Sequence, residues 1–328
     1  MVVDTHAHSA SYLPRPVAAV FRFANRKTMP ADVPFRDLTA AGVDAIVGKA
    51  VGDPLVTRWW RSSAWQAVSK QLERVEAETR DAGGRVVTGA GAIVDAKASG
   101  RLAVMLGVEG GDVIGDELSA LDALYDRGVR LIVLVHLGDN QIGTTCLPWQ
   151  RYLGPLPVRR RTRPGLTSFG RRVVERMNKL GMVIDVSHAD MQTLRDIASH
   201  SRHPVVASHA GARALEEFER FLPDAEIRTI ASGGGVIGLW PYRSHGHGVT
   251  DIAELVRHAR HIADVAGAEH LCIGTDMNGV PGVMAGYRGE RDLPLVTAAL
   301  LAGGFGEQEV EGILGRNFLR VLERITGH

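Results

Sequence analysis

The 328-residue chain sets 38 Lys and Arg against 37 Asp and Glu, a formal charge of +1, so no global field steers it toward nucleic acid or an anionic membrane. Hydrophobic residues make up 45% of it, and no apolar run approaches the ~20 residues that span a bilayer. The first residues have neither the basic nor the apolar region of a signal peptide, so a cytoplasmic protein acting on a small molecule is expected, with no nucleic-acid or membrane partner.

Short β-branched runs alternate along the chain with longer amphipathic stretches, the pattern of repeated βα units around a parallel sheet. The first run is VVDTHAH (2–8), followed by DAIVGKAV (44–51) and a helix over 62–81. LAVMLGVE (102–109), a helix over 117–127, VRLIVLVH (129–136), a helix over 167–180 and GMVIDVSH (181–188) come next. The remainder reads as a helix over 190–200, PVVASH (204–209), a helix over 225–232, GGVIGLW (234–240), a helix over 250–266 with Thr250 as its cap, HLCIGTD (270–276) and a helix over 307–325. Gly128, Gly181 and Gly267 stand where three of these helices should stop. Eight strands with intervening helices predict a (β/α)8 TIM barrel, and without a low-complexity linker the expectation is one domain over 1–328.

Between 139 and 166 lies the longest unassigned stretch. Its Arg159, Arg160, Arg161 and Arg163 are expected to form a solvated basic patch. Cys146 and Cys272 lack both a disulfide framework and zinc-thiolate spacing, so ordinary thiols are expected.

Chemistry concentrates at the strand ends. His6 and His8 close the first run, Glu109 the third, His136 the fourth, His188 the fifth, His209 the sixth and Asp276 the eighth. TIM-barrel active sites lie at that C-terminal face, so these seven side chains are expected to meet at one mouth. Residues i and i+2 of a strand share a side, which lets His6 and His8 bind one ion together. Imidazole and carboxylate donors suit zinc or a similar transition ion. Glu109 can bridge to a second ion completed by His188 and His209. Two ions ~3.5–4 Å apart activate water for hydrolysis. Asp276 is then the expected general acid and base, and His136, not needed as a ligand, the donor to an oxyanion. A single-metal deaminase or lactonase, or a metal-binding barrel without catalysis, are the competing readings.

The blocks GVEGG (107–111), YDRGVRLIVLVH (125–136), GLTSFGRRVVERMNKLGMVIDVSHAD (165–190), VVASHAGARAL (205–215) and GTDMNG (274–279) resemble the membrane (renal) dipeptidase family of the amidohydrolase superfamily. That resemblance covers nearly the whole chain. It implies a zinc-dependent dipeptidase with two ions per chain, acting on dipeptides or small N-acyl amino acids, and a homodimer. By position it makes Glu109 the bridging carboxylate, His188 and His209 the ligands of the second ion, Asp276 the acid/base and His136 the contact to the scissile carbonyl. It also assigns Arg220 to the substrate carboxylate, which a planar guanidinium grips bidentately.

In two places the chain departs from the family pattern. The first strand usually reads His-x-Asp, and His8 stands at the second position. Losing one negative charge beside two cations predicts a less tightly held first ion, a different preferred metal, or one ion per chain. Asn278 replaces a second Asp in GTDMNG and reads as a turn residue. Lys49 is expected to pair with a barrel-interior acid rather than to bind metal. His245 and His247 are read as loop residues, Trp240 and Tyr242 as rim packing, and Trp59, Trp60 and Trp65 as part of a lid or a subunit contact.

Overall fold

Runs of Val, Ile and Leu with almost no polar interruption cannot sit at a half-solvated sheet, and the chain buries them on both faces. The computed structural model describes residues 1–153, 157–158 and 160–327. Eight parallel strands form its centre: β1 (Val3–His8), β2 (Ala45–Val51), β3 (Ala103–Glu109), β4 (Val129–Val133), β5 (Val183–Asp185), β6 (Val205–Ala210), β7 (Val236–Leu239) and β8 (Leu271–Ile273). Each pairs with the next, from Val3 opposite Ala45 to Leu271 opposite Ile237, and Asp4 opposite Ile273 closes the ring. The expected TIM barrel is therefore the fold. Helices surround it, and Phe318, Val321 and Leu322 of the last helix join Ile93 and Ala96 in plugging its floor.

Three strands end earlier than the sequence suggests. β4, β5 and β8 stop at Val133, Asp185 and Ile273, three residues short of His136, His188 and Asp276. His188 and Asp276 adopt left-handed backbone, with φ of 65° and 58°, which turns the chain out of the ladder. Three further short strands among the described residues carry no sequence signal of sufficient length. Arg85–Val87 adds in parallel to Ala103–Met105, and Arg243–Ser244 pairs with His247–Gly248 as a small hairpin.

Most helices sit close to their expected places. The one expected over 62–81 runs Ala64–Asp81 from a capping box in which the Ser63 hydroxyl accepts from Gln66 N and the Gln66 side chain accepts from Ser63 N. That expected over 250–266 is capped by Asp251, not Thr250, and spans Ile252–Ala266; the Thr250 hydroxyl instead donates to Glu254 Oε2 at 2.5 Å. The last helix is divided at Gly312–Arg316, where Gly315 leaves helical geometry, and resumes as Asn317–Thr326. Arg15–Ala24, Ala90–Ala98 and Leu293–Ala302 are helices that the sequence reading left unassigned.

Within 139–166 the described arginines make specific contacts. Arg160 Nε donates to Asp139 Oδ2 at 3.1 Å and Arg161 Nη1 to Asn140 O at 2.7 Å, while both residues remain exposed, as expected of a solvated basic patch. Arg163 is exposed, and Arg159 lies outside the described residues. Both cysteines are free thiols. No helix among the described residues is long and apolar enough to cross a membrane.

Candidate metal centre and active site

His6 and His8 project from β1 toward the same point, as i and i+2 positions must, and their Nε2 atoms lie 3.3 Å apart. Glu109, last residue of β3, meets them: Oε1 is 3.2 Å from His6 Nε2 and Oε2 is 3.3 Å from His8 Nε2. From the far wall His188 Nε2 lies 3.4 Å and His209 Nε2 3.9 Å from Glu109 Oε1, and these two imidazole nitrogens are 3.1 Å apart. Asp276 Oδ1 lies 3.4 Å from His8 Nε2 and 3.7 Å from His6 Nε2. All seven side chains named from the sequence for the barrel mouth, His136 included, are gathered here and buried.

Backbone bonds lock the two ends of the barrel ring together at this point. Asp276 N donates to His6 O at 2.9 Å and His8 N to Met277 O at 2.8 Å. Asn278 is more than a turn residue: its Nδ2 donates to His8 O at 2.9 Å, and its Oδ1 accepts from Val33 N at 3.0 Å.

Among the described residues, three side-chain groupings have donor atoms close enough to share a cation: His6, His8 and Asp276; His6, Glu109 and His209; and Glu109, His136 and His188. Glu109 Oε1 is buried without a hydrogen-bond partner, an unusual cost for a carboxylate oxygen unless a cation offsets it. The residues therefore fit divalent ions. Burial, with Arg220 and neighbouring imidazoles behind it, holds His188 and His209 well below the usual histidine pKa, which keeps them neutral, the form that binds metal. Burial alone would raise Glu109, but His136 and His6 bring it well below the ordinary carboxylate value. His8 behaves oppositely: burial disfavours its charge, yet Asp276 and Glu109 push it up to about 9.

Several partners of these residues were not singled out from the sequence. Asp53 Oδ2 accepts from His136 Nδ1 at 2.6 Å, so His136 presents Nε2 toward the mouth, 3.6 Å from Glu109 Oε2. Ser208 Oγ lies 2.8 Å from His6 Nδ1 and 3.0 Å from His209 Nδ1. Such partners fix ring orientation. Lys49 pairs with Asp185 at 2.8 Å and also contacts His6 Nδ1 at 2.7 Å. Charged residues inside apolar strands need partners, so IVGKAV and VIDV carried that signal; Asp53 and Ser208 had none beyond polarity.

Arg220 follows β6 and is 3% exposed. Its guanidinium sits 4.8 Å above Trp240, and its Nε and Nη2 have no hydrogen-bond partner. A buried guanidinium with two unpartnered nitrogens beside this mouth has the chemistry to receive an anion. His245 and Trp59 border the mouth, whereas His247 is exposed and turns to Glu216 at 3.3 Å. Trp60 lies under Arg74 at 4.5 Å.

A sequence model of the family described as membrane dipeptidase, peptidase family M19, matches residues 2–327. An uncharacterized dipeptidase of Schizosaccharomyces pombe is 32% identical over 238 residues, which are 71% of this chain and 55% of that protein. The chain thus spans about half the length of that curated relative. Among solved structures, dipeptidase AC, a metallopeptidase of family M19, superposes with a TM-score of 0.81 at 25% identity over 100% of this chain and 99% of its own. A metallopeptidase from Rhodobacter sphaeroides, liganded with a phosphinate mimic of L-Ala-D-Ala, shares the fold with a TM-score of 0.80 at 24% identity over 99% of both chains.

Proposed function

Because the chain belongs to the membrane dipeptidase family, peptidase family M19, we propose that it is a metal-dependent hydrolase of the amide bond in dipeptides or small N-acyl amino acids. The observation that carries this is the convergence of His6, His188 and His209 on Oε1 of Glu109, which has no hydrogen-bond partner, with His8 on its Oε2. His6, His8, Glu109, His188 and His209 would hold two zinc ions, with a single ion as the outcome should His8 fail to replace the missing carboxylate. Bound there, such ions supply Lewis acidity to the scissile carbonyl and acidify water.

The chain's own groups perform the remaining steps. Asp276 takes a proton from the attacking water and returns it to the leaving amine. His136, anchored through Nδ1 on Asp53, donates from Nε2 to the carbonyl oxygen as charge develops there. Arg220 holds the substrate carboxylate. A homodimer and a cytoplasmic location belong to the same proposal, tested by light scattering and cell fractionation.

Asp276→Asn tests the mechanism. It should keep its metal content by elemental analysis while turnover of L,L and L,D dipeptides or acyl amino acids drops by ~10²-fold or more. Wild-type turnover in that variant would refute the assigned acid/base, and an enzyme inactive on every amide under zinc, manganese and cobalt would refute the hydrolase.

A further inference from the structure

Above the imidazole cluster the barrel mouth widens into a chamber of about 560 Å³, within the range of small-molecule sites. Two segments that contribute no candidate metal ligand build its outer wall. Leu13, Val17 and Phe21 come from the loop after β1 and the Arg15–Ala24 helix, and Leu55, Val56 and Trp59 follow β2. Among the described residues lining it, Glu109 and Asp276 are the only carboxylates, and both face imidazoles in the cluster. A substrate ammonium placed in the outer chamber would leave water without an anionic partner, which is costly. The side chain that β1 offers beside the scissile position is the imidazole of His8, which bears no negative charge.

Topology fixes how a substrate must lie. In a ring of eight strands β2 and β6 stand opposite one another, so the apolar wall after β2 lies across the barrel from the strand whose following loop carries Arg220, and that guanidinium packs on the chamber residue Trp240. The metal-competent cluster lies between them. A molecule with its carboxylate on Arg220 and its amide carbonyl at the cluster therefore points its acyl group at Phe21, Leu55 and Val56.

Resting on the hydrolase reading above, we infer that the site takes amino acids N-acylated with a long apolar or aryl group, in preference to small dipeptides bearing a free ammonium. The reaction needs no further reactant. The water oxygen bonds to the acyl carbon, the C–N bond breaks, and the nitrogen takes up a proton. The products are an apolar carboxylate and a free amino acid.

The test uses the metal-loaded enzyme with N-octanoylalanine, N-phenylacetylalanine, N-acetylalanine and Ala-Ala, in both configurations of the alanine that bears the free carboxylate. The octanoyl and phenylacetyl substrates should exceed Ala-Ala in kcat/KM by on the order of 10- to 100-fold, the scale on which apolar pockets discriminate. Val17→Trp, on a surface helix, should lower the octanoyl-to-acetyl ratio of kcat/KM about tenfold by filling the chamber. Independently of turnover, N-octanoylalanine should blue-shift tryptophan fluorescence of the metal-free protein through Trp59 and Trp149, which line the chamber, and N-acetylalanine should not. If Ala-Ala is hydrolysed as well as or better than the acyl substrates, the inference is overturned and the dipeptidase stands. If no amide is hydrolysed, both fall.

Discussion

Lys49 Nζ approaches His6 Nδ1 to 2.7 Å while pairing with Asp185 Oδ2 at 2.8 Å. Both charged residues are completely buried, and Ser208 Oγ lies 3.1 Å from the amine. The barrel thus carries a buried ion pair directly beneath its metal-competent histidines, with His6 leaning on the cation.

Removing one member of such a pair leaves a buried charge without its partner, at a cost of about 3–5 kcal/mol. Lys49→Met should therefore lower unfolding stability by that amount in urea. The double variant Lys49→Met/Asp185→Asn should recover about 1–3 kcal/mol of it, because Asn retains the oxygen that accepts from Ser187 N and Ser208 N. Additive losses in the double variant would show that the pair is not coupled.

Ions that bind only the folded chain stabilise it by RT ln(1 + [L]/Kd), about 2.7 kcal/mol at a hundredfold excess over Kd. Zinc added to chelator-treated protein should raise Tm by several degrees. Glu109→Gln should abolish most of that shift, since the carboxylate touches both histidine groups, and an undiminished shift would remove Glu109 from the ligand set.

His258, which is outside the metal cluster, supplies a separate pH response. Burial holds its pKa down at about 4, with Glu254 opposing the shift, and its Nδ1 accepts from Ala212 N at 2.9 Å. Its folded value lies below its unfolded one, so the unfolded chain binds the extra proton. The stabilisation is complete above pH 6.5 and is lost as pH falls toward 4, roughly 2–3 kcal/mol of it by pH 4.5. His258→Asn keeps an acceptor near the Nδ1 position. Between pH 7.5 and 4.5 it should lose that much less stability than the wild type.

Glu290 behaves in the opposite sense. Thr275 Oγ1 lies 2.5 Å from Asp4 Oδ2 and 2.9 Å from Glu290 Oε1. One hydroxyl proton cannot serve two carboxylates, so a carboxyl must carry the other. Burial, and then Asp4, raise Glu290 to about 7. Stability is therefore full below pH 4.5 and falls as pH rises through 7. In chelator-treated protein, Glu290→Gln should be about 3 kcal/mol more stable than the wild type at pH 8 and nearly equal to it at pH 4.5.

Strands were legible because parallel strands buried on both faces leave unbroken apolar runs, and site residues because histidines rarely end so many of them. The same runs overshot at His136, His188 and Asp276, where side chains still look strand-like after the backbone has left the ladder. Ala90–Ala98 and Leu293–Ala302 escaped notice because their sequences, AGAIVDAKA and LPLVTAALLA, show no polar stripe. Arg15–Ala24 buries none of its residues fully, and its short stripe of Val17, Ala18 and Phe21, packed on Leu13, Val51 and Val56, is a weak pattern within ten residues. Asp53 and Ser208 hold site histidines through contacts 83 and 202 residues apart in sequence, and no local pattern encodes such a meeting.

The chamber's outer wall and the cluster are drawn from different stretches of chain: residues 12–24 and 55–59 shape much of the one, and residues at or just beyond the strand ends build the other. Exchanging those two short segments between relatives should recast which acyl groups are accepted without disturbing the catalytic framework. On the function proposed above, selection and reaction then reside in separate segments of one barrel, a modular route to new hydrolases.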